Sequence, residues 1–283
     1  MTTTRRAATP PLSTTPREPS ALAPWRFLRC LLDLLVPACC AGCGVAGVSW
    51  CPDCHGAFGR PHPVHRPPLV RGPEAYAVGA YEGVARSAVL AYKERGRRDL
   101  ADPLGAALAA ALPLLPRAGP ARDGVWWLVP VPSRGAAARR RGGDHVRRLA
   151  TRCAAHLALS GRPAVVASGL RLARGVVDAV GLDAAGRVAN LAGRVRPRPG
   201  GLPPPGTPVV LLDDVITTGA TAAAGVAALR SVGVPVAAVL ALVSAGGPGR
   251  RGRGGCDAAG GARSLPSGGR GVGRRGDTRG SLR

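Results

Sequence analysis

Two acidic residues followed by a short run of small, hydroxylic residues form the segment of the chain best suited to chemistry. The apolar run Val209–Leu212 leads directly into Asp213 and Asp214, and the run Thr217–Thr221 begins after two further residues. A continuous apolar run is typical of a strand covered on both faces. Ligands of open α/β sheets bind beyond the carboxyl ends of the strands, where these two carboxylates could accept hydrogen bonds from sugar hydroxyls.

The residues after the two acids suit a phosphate group. They are small or carry a hydroxyl, and they lead into a helix predicted from Ala220: Thr217, Thr218, Gly219, Ala220 and Thr221. Such a turn presents several backbone N–H groups to one point, and the helix N-terminus adds its positive dipole end. An N-cap turn without a ligand is the structural alternative. The complete ordered run favours a site for ribose 5-phosphate.

Cysteines form a second candidate site near the N-terminus. Cys40 and Cys43 make one C-x₂-C pair, and Cys51 and Cys54 make another pair seven residues further on. Four thiolates from two such pairs predict a closed, structural Zn²⁺ site. Cys39 could replace Cys40 as a ligand, and His55 is close enough in sequence to compete. Reduced structural thiols or a redox pair are the alternatives to zinc.

Alternating strands and helices are predicted to position these residues. Apolar runs predict the strands 75–81, 125–131, 164–167, 208–212 and 236–243. Helical periodicity predicts the helices 84–93, 104–115, 144–159, 184–193 and 220–232. Strands alternating with helices indicate βαβ units and therefore a parallel sheet.

The flanking segments divide the chain into five parts. Residues 1–24 are rich in Thr, Pro, Ser and Arg and are expected to be disordered, and residues 25–59 carry a short amphipathic helix (25–36) and the cysteine module. The Pro-rich residues 60–74 are expected to form a linker, and residues 75–245 the main domain. Residues 246–283 are expected to form a disordered Gly/Arg-rich tail, for which an RNA-binding role is the alternative.

The amino-acid composition says more about the cellular compartment of the protein than about its binding partner. The formal net charge is +23, and the tail alone contributes nine arginines against two aspartates. A nucleic-acid surface and an arginine-rich coding bias both account for this charge. Clustered cysteine pairs and the lack of a long apolar run predict a cytoplasmic protein without a transmembrane segment or signal peptide. A homo-oligomer is compatible with these observations.

Several further motifs occur in a characteristic order. They are Tyr92-Lys93, Leu128–Pro132, Arg139–His145, Gly186–Leu191 with Arg187 and Asn190, and the run Val209–Thr221. In this order, together with the cysteine module, the chain resembles the ComF family of phosphoribosyltransferase-like proteins over about residues 32–243. Gly143, where the family usually has a larger residue, and Ala179, where it often has glutamine, depart from the family pattern.

The resemblance implies a type I phosphoribosyltransferase fold, which is a parallel sheet flanked by helices, with a small N-terminal zinc module. It also implies that the ligand is phosphoribosyl pyrophosphate (PRPP). Asp213 and Asp214 would then contact the ribose hydroxyls, and residues 217–221 would hold the 5-phosphate. Mg²⁺ would bridge oxygens of the pyrophosphate and the ribose.

Basic residues could hold the pyrophosphate. Arg140 and Arg141 lie in an arginine cluster after a predicted strand, and Lys93 ends a predicted helix. Charge-assisted hydrogen bonds to pyrophosphate would suit all three side chains. Ordinary solvated positions are the alternative for each of them.

Two functions fit these predictions. An enzyme would transfer phosphoribose from PRPP to a nitrogen nucleophile and release pyrophosphate, with Asp213 and Asp214 at the reacting centre. The resemblance implies a second possibility, a non-catalytic protein that binds a phosphoribosyl ligand and acts in competence-type DNA uptake, with single-stranded DNA or the competence machinery as its partner. Turnover of PRPP separates these two functions, and the acceptor is not defined by the sequence.

Overall fold

The computed structural model describes residues 39–133, 144–173 and 193–246. Several sequence predictions fall outside these ranges. They are the two termini, the helices at 25–36 and 184–193, and the residues Arg140, Arg141, Gly143, Ala179, Arg187 and Asn190.

A six-stranded sheet forms the centre of the described structure. Its strands are β1 (His62–Pro63), β2 (Ala75–Ala80), β3 (Trp126–Pro130), β4 (Ala164–Val166), β7 (Val209–Ile216) and β8 (Val236–Ser244), in the spatial order β1-β2-β8-β7-β3-β4. All neighbours pair in parallel except β1, which runs antiparallel to β2 at the edge. A separate antiparallel ribbon consists of β5 (Leu170–Leu172) and β6 (Val195–Pro197). The parallel arrangement brings the carboxyl ends of β2, β8, β7, β3 and β4 to one edge.

Helices cover both faces of this sheet. The described α-helices are α1 (Pro52–His55), which belongs to the cysteine module, and α2 (Gly83–Lys93), α3 (Ala101–Ala111), α4 (His145–Leu159) and α5 (Ala220–Arg230), which pack on the sheet. One buried cluster joins α2, α3 and α4 to the sheet, and a second joins α5 and the β5–β6 ribbon to its opposite face. No described helix has the length and apolar character needed for a membrane span.

The central strand β7 contributes side chains to both clusters. Val210 and Leu212 belong to the cluster with α2–α4, whereas Val209 and Leu211 belong to the cluster with α5. Successive side chains of a strand point to opposite faces. Asp214 therefore continues the row of Val210 and Leu212 and faces the α2–α4 side.

Two local features fix α4, the helix that begins at the site. Asp144 is its N-cap, and the Asp144 side chain accepts hydrogen bonds from the backbone N–H groups of Val146 and Arg147. Gly105 of α3 lets the two helices approach closely, since a Cβ atom there would lie 2.6 Å from Arg152 Cβ and 2.9 Å from Cys153 N. The first turn of α4 is therefore fixed by its N-cap, and the middle of the helix is fixed by its close packing against α3.

The predicted fold class, a parallel sheet flanked by helices with an N-terminal cysteine module, is confirmed. β7 is longer than the predicted strand 208–212, because its pairing with β8 continues to Ile216 and Ser244. The two acids consequently lie within the strand. The Pro-rich segment, expected as a linker, contributes β1 and a 3₁₀ turn at Pro67–Leu69. Proline is compatible with this position because β1 is an edge strand.

Candidate functional site

Asp214 is the centre of a buried polar cluster. Its side chain is only 5% exposed, and its Oδ2 atom lies 2.8 Å from Lys93 Nζ and 2.8 Å from His145 Nε2. The Oδ1 atom accepts a hydrogen bond of 2.8 Å from the backbone N–H of Val215. The structure thus places Lys93, one of the predicted site residues, beside Asp214. It also adds His145, which sequence reasoning did not include in the site.

The two neighbouring carboxyls differ in their electrostatics. Burial opposes the charged form of Asp214, but the Lys93 ammonium and His145 outweigh burial and hold the pKa of Asp214 well below its ordinary value of 3.8. For Asp213, burial and then the negative charge of Asp214 raise the pKa well above 3.8. The Asp213 side chain accepts a hydrogen bond of 2.8 Å from the Asp214 backbone N–H. The pair therefore holds one ionised carboxylate and favours a proton on the other.

Packing fixes His145 more firmly than Lys93. His145 is buried at the first position of α4, and the hydroxyl of Tyr92 donates a hydrogen bond of 2.6 Å to its backbone carbonyl. Its Nδ1 atom lies 3.3 Å from Ser133 Oγ, and Ser133 Oγ donates to Asp144 at 2.8 Å. Lys93 is the last residue of α2, and its side chain is 30% exposed. Of the two partners of Asp214, only Lys93 reaches solvent appreciably.

The predicted phosphate loop begins directly after β7. Gly219 has φ +79° and ψ +1°, which is the left-handed conformation, and it is the N-cap of α5. Thr218 Oγ1 accepts a hydrogen bond of 3.4 Å from the Ala220 backbone N–H. The first N–H groups of a helix have no partner within the helix, so they can bind an anion. Loop and acids lie at the same edge of the sheet because both are carried by the carboxyl end of β7.

Arg66, a second residue missed by sequence reasoning, supports this loop. Its Nε atom donates a hydrogen bond of 2.5 Å to the Thr217 carbonyl, and its Nη2 atom donates to the carbonyl of Ala245 after β8. Arg66 Cβ and Leu69 Cδ1 also lie against Gly219. The Pro-rich segment therefore connects the ends of β7 and β8. No periodic pattern in that segment could have indicated such a contact.

The cysteine module forms a second candidate site. The Sγ atoms of Cys40, Cys43, Cys51 and Cys54 all lie within 4.8 Å of one another. The Cys40–Cys54 and Cys43–Cys51 pairs are each separated by 3.6 Å. A tetrahedral ion with metal–sulfur bonds of about 2.3 Å requires sulfurs about 3.8 Å apart. These four side chains can therefore hold a metal ion such as zinc.

The thiols of the cluster differ in how readily they ionise: the pKa of Cys40 is lowered, whereas burial and the neighbouring cysteines raise the pKa of Cys54. Burial would raise the pKa of Cys40, but backbone N–H groups around its sulfur, including that of Cys51 at 3.4 Å, lower the pKa to about 6. A thiolate is the form that binds a metal. Cys39 is exposed and lies outside the cluster, so Cys40 is the fourth cysteine of the site.

Close contacts dock the cysteine module on α2. A Cβ atom on Gly42 would lie 2.6 Å from Cys54 Sγ and 2.7 Å from Val84 Cγ1, so only glycine fits between the cluster and the helix. Arg97, just after α2, donates hydrogen bonds to the carbonyls of Cys39 and Ser49 at 3.0 and 3.5 Å. The module is therefore attached to the same helix that carries Lys93.

Comparison with known proteins gives little further information. No model of a known protein family matches the chain, and no curated protein sequence matches it. Among solved structures, the chain is similar to the crystal structure of orotate phosphoribosyltransferase from Aeropyrum pernix. The two are 18% identical, the match covers 67% of this chain and 77% of the other, and the TM-score is 0.22. A TM-score this low does not establish a common fold, so the architecture stands on its own strand order and register.

Proposed function

We propose that the chain binds PRPP with Mg²⁺ at the carboxyl end of β7 and transfers its phosphoribosyl group to a nitrogen nucleophile. The observation that carries this proposal is the sequence of a buried strand, two carboxyls and a glycine-containing turn that opens α5. Asp213 and Asp214 hold the ribose hydroxyls, and the N–H groups of residues 217–221 hold the 5-phosphate.

The chemistry of the transfer requires positioning and charge stabilisation. Positive charge develops on ribose C1 as pyrophosphate leaves, and the Asp214 carboxylate lies close enough to the ribose to stabilise it. Lys93, Arg140 and Arg141 are the proposed pyrophosphate ligands. Mg²⁺ supplies charge neutralisation on the pyrophosphate. The protein needs no covalent nucleophile because the substrates only have to be held in line.

The metal of the cysteine cluster is zinc in this proposal, with Cys40, Cys43, Cys51 and Cys54 as ligands. All four positions of the tetrahedron are then filled by the protein, so the role of the zinc is structural. Residues 25–59 form this module and residues 75–245 the phosphoribosyltransferase domain. Residues 60–74 join the two and complete the sheet edge with β1.

Calorimetry with Asp214→Asn tests the proposed binding site. The substitution keeps the size of the side chain and removes its charge, so PRPP affinity should fall about tenfold or more, since a hydrogen bond to a charged group contributes roughly 1.5–3 kcal/mol. Inorganic pyrophosphate should lose much less affinity because the acids face the sugar. Asp102→Asn, which makes the same charge change at an exposed position, is the control and should leave both affinities unchanged.

Equal effects of the two substitutions on PRPP affinity would contradict the proposed site and indicate general attraction of anions to a basic protein.

A second experiment, release of pyrophosphate from bound PRPP in the presence of candidate nitrogen acceptors, separates a transferase from a non-catalytic binding protein. If the protein binds PRPP in a Mg²⁺-dependent manner but releases no pyrophosphate with any acceptor, it is a non-catalytic protein that binds a phosphoribosyl ligand.

A further inference from the structure

The contacts of Asp214 conflict with a simple docking of ribose on that carboxylate. A carboxylate offers about four lone-pair sites on its two oxygens. Lys93 and His145 occupy Oδ2, and the Val215 N–H occupies one site of Oδ1. Oδ2 is thus occupied twice, and because the side chain is 5% exposed, a sugar hydroxyl that binds Oδ2 has to replace Lys93 or His145.

The three groups differ in their freedom to move. The Val215 N–H belongs to the backbone of β7. His145 has a side chain 6% exposed and is held through Tyr92 and Ser133. Lys93 is 30% exposed, and its long stem starts at the last residue of α2. Of these three groups, Lys93 is therefore the one that a ligand can displace most easily.

On the basis of the proposed function, we propose that Lys93 is paired with Asp214 until PRPP binds and that it then pairs with the pyrophosphate instead. His145 stays hydrogen-bonded to Asp214 and acts as a positioning residue. The exchange replaces one ion pair by another, so neither the ammonium nor the carboxylate is left in a buried place without a partner. A ribose hydroxyl takes the place of Lys93 on Asp214. Ligands that carry both a ribose and a pyrophosphate are therefore selected over ligands that carry only one of them.

Ribose 5-phosphate distinguishes this exchange from a fixed role of Lys93. Because ribose 5-phosphate lacks a pyrophosphate, it offers Lys93 no pyrophosphate oxygens in exchange for the Asp214 carboxylate. Lys93→Met should lower PRPP affinity at least tenfold, yet leave ribose 5-phosphate affinity unchanged or higher. Arg95→Met removes one exposed positive charge two residues further along the chain and is the matched control. It should not lower PRPP affinity selectively while leaving ribose 5-phosphate affinity unchanged or higher.

His145 has its own test. Its Nε2 atom lies 2.8 Å from Asp214 Oδ2, so His145→Leu should weaken PRPP and ribose 5-phosphate alike, by about tenfold. His145→Gln keeps an N–H donor and should restore most of the affinity. A double-mutant cycle separates positioning from folding, because His145→Leu should have little further effect in the Asp214→Asn background.

The chain offers a direct spectroscopic readout, since Lys93 is its only lysine. Lysine labelled with ¹³C at Cε gives one side-chain NMR signal from the full-length protein. Asp214→Asn should shift this signal by removing the ion pair. Ribose 5-phosphate should move the wild-type signal toward the Asp214→Asn position, and PRPP with Mg²⁺ should move it to a third position.

The outcomes separate this inference from the function on which it rests. If wild type binds neither PRPP nor ribose 5-phosphate, the proposed function and the exchange both fail. If PRPP binds through Asp214 but Lys93→Met weakens both ligands equally and PRPP leaves the lysine signal in place, only the exchange is wrong. If His145→Leu acts equally in the wild-type and Asp214→Asn backgrounds, His145 is not a positioning residue.

Discussion

Replacement of Gly219 by alanine tests the phosphate loop with a small and well-defined change. Gly219 has φ +79°, and a Cβ atom there would lie 3.0 Å from Arg66 Cβ and 3.1 Å from Leu69 Cδ1. Alanine in the left-handed region costs roughly 1–2 kcal/mol. The contacts with Arg66 and Leu69 additionally force the loop or its neighbours to move by a few tenths of an ångström.

Gly206 provides a matched control. It also has φ +79°, but a Cβ atom on Gly206 would meet nothing within 4 Å, and it precedes β7 at the end opposite the site. Each substitution should therefore lower the free energy of unfolding by roughly 1–2 kcal/mol through its backbone conformation. Gly219→Ala should cost somewhat more, because of its contacts with Arg66 and Leu69. Only Gly219→Ala should weaken PRPP binding, by about tenfold or more, because displacement of the loop weakens at least one hydrogen bond to the charged phosphate, worth roughly 1.5–3 kcal/mol.

Urea unfolding and titration calorimetry measure the two effects separately. Binding should be measured well below the unfolding midpoint of both variants, so that each remains folded. Equal PRPP affinities of Gly219→Ala and Gly206→Ala would refute the assignment of the phosphate to this loop. A large loss of affinity in both variants would show that binding follows overall stability instead of loop geometry.

Three further predictions concern the metal, the buried acids and the tail. The purified protein should contain about one Zn²⁺ per chain by elemental analysis, and Cys43→Ser should lose it while Cys39→Ser retains it. The pKa of Asp213 is raised in the folded state, so the folded state keeps a proton that the unfolded state releases at about pH 3.8. The free energy of unfolding should therefore decrease as the pH rises from about 3.8 to the raised pKa of Asp213. Urea unfolding at several pH values should show this decrease for the wild type and not for Asp213→Asn. Truncation after Ala245 should preserve the melting transition and PRPP binding. It should weaken the salt-sensitive binding of single-stranded DNA, because residues 246–283 carry a net charge of +7. Aggregation of the truncated protein would contradict this expectation.

The regular elements were predictable because their apolar patterns are local. The strands 75–81, 125–131 and 236–243 and the helix 144–159 agree with the observed elements to within one or two residues at each end. β1, β5 and β6 were not predicted. They are two or three residues long, and β1 contains a proline, so no period could be detected in them.

The candidate site was predictable where it is continuous in sequence. Asp213 and Asp214 lie in the last part of β7 and Gly219 follows it, and the four cysteines lie within fifteen residues of one another. The contacts of Arg66 and His145 join residues that are 151 and 69 positions apart, so they depend on the packing of α4 and of the Pro-rich segment against the sheet. Composition alone could not indicate those contacts.

A crystal structure of the protein with PRPP and Mg²⁺ tests the central claim most directly. The account predicts the 5-phosphate within hydrogen-bond distance of the backbone N–H groups of residues 217–221. It also predicts a ribose hydroxyl on the Asp214 carboxylate. PRPP bound elsewhere on the protein, or bound at this edge of the sheet with its ribose away from Asp214, would contradict the account.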